Sequence, residues 1–191
     1  TIDSLNYLRA LQKSLRETEG QALKQKKGKS DVDSSKDVKV TILIGTEFPE
    51  WQNKYLQVAK ELNDAGSLND NSVLKTKVDG KDMKKVMPFI SKLKQRLASG
   101  EKPEVVFNNK TTFDEVELIE KVQKNDSIRQ ALQVITKDQI KEVEILTFAP
   151  GSETAYSLIS KQENVALPQG ASKAIENAVP GIPSVLIRNI E

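Results

Sequence analysis

Cysteine and histidine are both missing from the 191 residues of this chain. Without cysteine there is no disulfide, no thiolate nucleophile and no Cys-ligated zinc, a composition that suits a reducing compartment. Without histidine the commonest general base near neutral pH is gone, and neither Ser-His-Asp nor Cys-His catalysis can be assembled. No apolar run approaches the roughly 20 residues that span a bilayer, and no leader-like segment opens the chain. A Gly-rich phosphate loop, a dinucleotide fingerprint and zinc-ligand spacing are absent as well. Paired carboxylates are plentiful, but they fall in loops and first helical turns, where solvation accounts for them. No catalytic residue, metal ligand or cofactor is expected of this chain by itself. Aromatics are also scarce, at 5% with a single tryptophan.

What is present fits a modest core with solvated flanks: 37% of residues are hydrophobic and 29% charged. Basic and acidic residues number 29 and 27, so only local clustering of charge carries information about partners. The chain opens on Thr1 rather than Met, with a helix starting at once, which suggests a piece of something longer.

Leu5, Leu8, Leu11 and Leu15 recur at helical steps, predicting an amphipathic helix over residues 1–23 capped by Thr1 or Asp3. A lone helix cannot bury its leucines against itself, so it is expected to stand apart and pack on other helices. Residues 24–37 read as a polar linker carrying Lys24, Lys26, Lys27 and Lys29, either a solvated hinge or a flexible basic arm. Val38–Ile44 reads as a buried strand. A helix from Pro49 follows, with Thr46 as a possible cap and Trp51, Tyr55, Val58, Ala59 and Leu62 at helical spacing. Trp51 suits packing against the strand better than base stacking. Residues 65–80 look like a loop. Val105–Phe107 suggests a short strand, and Thr112 with Glu115 a capping box for a further helix. A second clear strand is expected at Val143–Phe148. Weaker strand signals follow at Tyr156–Ile159 and Val185–Ile190, with a helical turn at Ala174–Ala178.

The segment from Lys81 to Leu97 is the most informative. At about 100° per residue, Met83, Val86, Met87, Ile90, Leu93 and Leu97 fall in an arc of about 120°. Lys81, Lys85, Lys92 and Arg96 fall in a second arc of about 60°, nearly opposite. Pro88 lies inside the helix, on its basic side, where a kink is expected. Lys84 and Lys94 add to the positive charge. Such a face is either a solvated Lys-rich surface or a grip on phosphates, with salt-dependent affinity and little base specificity.

The stretches FPEWQNKYLQVAKEL (48–62), DMKKVMPFISKLKQRL (82–97) and TIDSLNYLRALQKSLRETEGQAL (1–23) resemble the C-terminal region of eukaryotic cytosolic leucyl-tRNA synthetases of the fungal type. With Phe113–Val122 and Val143–Phe148 the resemblance covers most of residues 1–148, and more loosely the closing ENAVPGIPSVLIRNIE. It implies a cytoplasmic parent that joins leucine to its tRNA using ATP and edits mischarged products in domains elsewhere, since neither signature sequence of the catalytic domain occurs here. It further implies a C-terminal domain that contacts the tRNA body and long variable arm. A multi-synthetase extension is not matched, and the family's link to Rag signalling attaches to no particular residue.

The expected fold is α+β. A small sheet, with helices packed on one face, would fill residues 38–191. It would follow a leading helix of the anticodon-binding bundle (1–23) and a flexible linker (24–37). The expected partners are tRNA(Leu) and the remaining domains of the parent, with no membrane and a monomeric state. Lys81, Lys84, Lys85, Lys92, Lys94 and Arg96, with Lys24, Lys26, Lys27 and Lys29, are the candidate RNA contacts. A protein-docking module that never touches RNA is the rival reading.

Overall fold

The computed structural model describes residues 2–108, 111 and 113–191. It divides into two compact units: residues 1–47 with 111–191, and residues 48–110 inserted between them in the chain.

The first unit is built on a mixed sheet. Strand β1 (Val38–Gly45) is the β-branched, aliphatic run, buried along nearly its whole length. It pairs in parallel with β2 (Ile140–Phe148), so that Val40 sits beside Val143 and Ile42 beside Ile145. Three further strands, β3 (Thr154–Ser157), β4 (Gln162–Ala166) and β5 (Ser184–Asn189), complete the order β4-β3-β2-β1-β5. Side chains alternate across a strand. Thus Val38, Val40, Ile42 and Ile44 enter one core with Val143, Ile145, Val185 and Ile187. Leu43, Leu146 and Phe148 enter a smaller one on the opposite face.

The larger core is closed by helices α1 (Ile2–Leu23), α6 (Glu115–Lys124) and α7 (Ser127–Ala131), through Tyr7, Leu11, Leu15, Ile119 and Ile128. The smaller core includes Ala178, with Ala174 and Ile175 of α8 (Ser172–Asn177) packed against it. There β1 ends at Gly45, where a Cβ would lie 2.1 Å from the Ala178 carbonyl oxygen, so only glycine lets the two backbones approach. The α+β class is as the sequence implies, with α8 added on the second face.

Helix α1 does not stand apart. Its buried stripe is Tyr7, Leu11, Leu15, Glu19 and Ala22, while Leu5 is 54% exposed. Three backbone N–H groups, those of Gln133, Val134 and Ile135, donate to the Glu19 carboxylate at 2.9, 2.7 and 2.7 Å, tying the approach to β2 onto α1. The Tyr7 hydroxyl donates to Glu115 Oε1 at 2.7 Å, and the Gly181 N–H donates to Oε2 at 3.0 Å. Burial pushes the Glu115 carboxyl above the usual glutamate range, against those two donors. Burial pushes the Tyr7 hydroxyl up as well, the neighbouring Glu115 adding to the effect.

Residues 24–37 are likewise anchored rather than loose. Val32 is buried in the sheet core and its N–H donates to the Ala22 carbonyl. The Asp33 N–H donates to Asn189 Oδ1, and Asn189 Nδ2 returns a bond to the Asp33 carbonyl. Lys26 and Lys29 close a tight turn whose central residues, Lys27 and Gly28, have φ of 53° and 80°. Two positive φ values define the turn family that matches strand twist in hairpins.

The inserted unit is helical: α2 (Glu50–Asp64), α3 (Asn71–Lys77), α4 (Met83–Ala98) and α5 (Pro103–Val106). Tyr55, Ala59, Leu62, Leu74, Val86, Ile90, Leu93 and Val106 form its core. Several expectations change here. Pro49 is the cap of α2 rather than its first residue, and the Thr46 hydroxyl donates to the Phe148 carbonyl instead of capping. Residues 65–80 are not all loop, because Asp70 caps α3 by accepting from the Ser72 and Val73 N–H groups. Val105–Phe107 is no strand, because Pro103 starts a short helix there. In the first unit, α6 is capped by Asp114, whose side chain accepts from the Glu117 N–H; Thr112, the cap read from the sequence, lies outside the described residues, as does Thr1. Among the described residues no helix is long and apolar enough to cross a membrane.

Candidate nucleic-acid interface

The charge of the chain is unevenly shared. Of the 29 basic and 27 acidic residues, 12 and 8 fall within residues 48–110, leaving 17 and 19 for the rest. The helical unit is therefore net positive and the sheet unit net negative, a division hidden by the near-neutral total.

Within the helical unit, α4 presents the candidate face. Val86, Ile90 and Leu93 are buried, and Met83, Met87 and Leu97 pack against the same core, so the apolar arc faces inward as its spacing requires. Pro88 lies inside the helix on the exposed side. The six cations read from the sequence do not all share one condition. Lys81, in the turn ahead of the helix, and Lys84 and Lys92 within it are exposed to solvent. Lys85 pairs with Asp82 at 3.2 Å, and its ammonium stands 5.1 Å from the centre of the Trp51 ring. Arg96 makes a two-pronged pair with Glu101, at 3.0 and 2.7 Å. Lys94 is half-buried on the flank and donates to Asn71 Oδ1 at 3.3 Å. Exposed pairs of this kind are weak, on the order of 1 kcal/mol or less, so Lys85 and Arg96 can exchange partners readily.

Asp82 is fixed from below. The Tyr55 hydroxyl lies 3.0 Å from its Oδ2 and 3.3 Å from Oδ2 of Asp79, and can donate to only one at a time. Lys54 pairs with Asp79 at 2.8 Å, and this bond and charge hold the Asp79 carboxyl below the usual range. The last turn of α3 adds Lys75 and Lys77, both exposed. Sequence reasoning passes over them because the helix that presents them has the composition of a loop.

Trp51 packs at the edge of the helical unit's core. Its ring meets Phe89 of α4 edge-on, with centroids 5.5 Å apart and planes at 75°. Sequence reasoning misses Phe89 as a member of this face, although its position is readable: it lies four residues after Lys85, three before Lys92 and seven before Arg96. The other candidate cations, Lys24, Lys26, Lys27 and Lys29, belong to the sheet unit, where all four are exposed around the Lys26–Lys29 turn.

A family model described as the RagD-binding domain of leucine–tRNA ligase matches residues 44–110, close to the limits of the helical unit. The cytoplasmic leucine–tRNA ligase of Saccharomyces cerevisiae is 43% identical over 190 residues, covering 99% of this chain and 17% of the relative. That of Neurospora crassa is 28% identical over 97% of this chain and 16% of its own length. The match runs along almost the whole of this chain, which is thus similar to one segment of an aminoacyl-tRNA synthetase. Its likeness is to a C-terminal segment of the cytoplasmic leucine–tRNA ligases. The chain spans about a sixth of the curated relatives it matches. The Rag link, which the sequence tied to no residue, is carried in the family model's name by residues 44–110.

Proposed function

We propose that this chain is a tRNA-contacting part of a leucine–tRNA ligase. It would position tRNA(Leu) through phosphate contacts, while ATP-dependent leucylation and editing proceed in other domains of the parent. The observation that carries this reading is the outward side of α4 and the turn ahead of it: Lys81, Lys84 and Lys92 lie exposed, while the apolar side of the helix packs on the core. Ammonium groups so placed release counterions from a phosphate backbone and confer affinity without base specificity.

Charge reversal of Lys81, Lys84 and Lys92 in this chain should weaken tRNA(Leu) binding at least about tenfold. It should also lower the slope of log affinity against log salt by about 2–3, near the loss of three phosphate contacts. Reversal of Lys85 and Arg96 should do less, since each is already paired with a carboxylate. A folded triple variant with unchanged affinity and slope overturns the assignment.

One observation favours a second reading. The helical unit nearly coincides with a family model named for RagD binding, which supports a protein-docking role for residues 48–110. Capture of a RagD-type partner that survives nuclease treatment would favour docking; capture that requires RNA would favour the first reading.

A further inference from the structure

Resting on the RNA-contacting reading, we infer that Trp51 and Phe89 form a stacking platform for an unpaired nucleobase. The nucleic acid taken up on this face is then a looped or single-stranded segment rather than continuous duplex. Phe89 sits apart from the apolar arc of α4, on the side that carries Lys85, Lys92 and Arg96. The core beneath is filled without it, by Tyr55, Val86 and Ile90, each fully buried, whereas Trp51 and Phe89 are only half-buried at its edge. Two aromatic rings in edge contact thus lie among cations.

That combination suits a base with its phosphates. The ring takes the base face, and the ammonium and guanidinium groups take the backbone on either side. Lys85 occupies the place over the Trp51 ring, but its side chain is 49% exposed and held by a single surface pair to Asp82. An arriving base can displace it toward a phosphate. A continuous duplex offers no base face to such a ring, because its bases are stacked on one another. The flanking cations argue against a neutral apolar peptide as the occupant.

Trp51 is the sole tryptophan, so its emission reports on this site alone. The test titrates the chain with a single-stranded RNA of about ten nucleotides, within the site sizes such surfaces take. The same strand annealed to its complement, inorganic polyphosphate and an acidic peptide serve as the comparison probes. The single strand should quench Trp51, and the other three should not. Trp51→Leu and Phe89→Leu should each weaken single-strand binding about fivefold or more, within the range for loss of one stacked base, and leave polyphosphate binding unchanged. If Trp51→Leu fails to fold, the wild-type emission and Phe89→Leu still decide.

Single-strand binding without a change in emission, equal quenching by duplex or polyphosphate, or a folded Phe89→Leu variant that binds as before overturns the platform and leaves the RNA reading standing. Quenching by the acidic peptide overturns it in favour of a protein occupant. Absence of any RNA binding removes both.

Discussion

The two units use their charged residues in opposite ways. In the sheet unit Glu19 and Glu115 are buried, and each holds distant backbone in place: Glu19 the segment 133–135, Glu115 the loop at Gly181 and the hydroxyl of Tyr7. In the helical unit the core is apolar apart from the tip of Tyr55, and carboxylates such as Asp70, Asp79 and Glu101 stay at the surface as caps or weak pairs. Charge therefore serves architecture in one and remains available to a partner in the other. A surplus of lysine on the helical unit can be redirected to a ligand without disturbing its interior. The buried acids of the sheet unit cannot.

The largest effect that would test this contrast is at Leu15. Leu15→Ala empties a site 1% exposed between α1 and the sheet, and should cost about 2–5 kcal/mol in urea unfolding. A loss below about 1 kcal/mol would mean that α1 is the detached leading helix its sequence suggests. Glu115 gives a smaller, pH-dependent effect. Its carboxyl is raised in the folded state, so the fold binds its proton more tightly than the unfolded chain does. The stability that proton confers is complete below the ordinary glutamate value and is lost as pH rises through the raised one. Glu115→Gln should remove that decline, worth about 1.4 kcal/mol for each tenfold difference in proton affinity between the folded and unfolded chain, from melting curves recorded between acid and neutral pH. Parallel curves for the two proteins would show that burial does not govern this acid. Smallest is Asp70→Ala, which takes the cap from α3 and should cost about 1 kcal/mol. That is the modest loss expected of a surface carboxylate, and one above about 3 kcal/mol would blur the distinction between the units.

Periodicity is a sound guide wherever burial sets the pattern. The strands at Val38–Gly45 and Ile140–Phe148 and the two-faced α4 all follow from apolar spacing. It fails where a polar residue takes an apolar place. Glu19 and Tyr7 complete the buried stripe of α1, and a search for leucines picks out the exposed Leu5 instead. Helix α3 is hidden among Asn, Asp and Ser, though Asp70 ahead of Val73 and Leu74 is a start signal. At Val105–Phe107 the apolar run suggests a strand, but Pro103 just ahead of it opens a helical first turn. Strand β4 has no apolar alternation at all, being fixed by backbone pairing to β3. The same division holds at the candidate interface. Helical spacing places Lys81, Lys84 and Lys92 outward, but it is blind to Glu101 meeting Arg96 past the Gly100 turn and to Asn71 meeting Lys94.

The insertion of the helical unit between β1 and β2 bears on how the chain reaches this state. Two strands that lie side by side are separated by residues 46–139, so their pairing must close a long loop before it gains any contact energy. Helices α2 to α5 within that span are joined by short turns and need only near neighbours. A nascent chain thus collapses residues 48–110 early, while the aliphatic strand made before them waits for its partner. That strand, Val38–Gly45, is an aliphatic stretch in need of protection from wrong association until β2 is made.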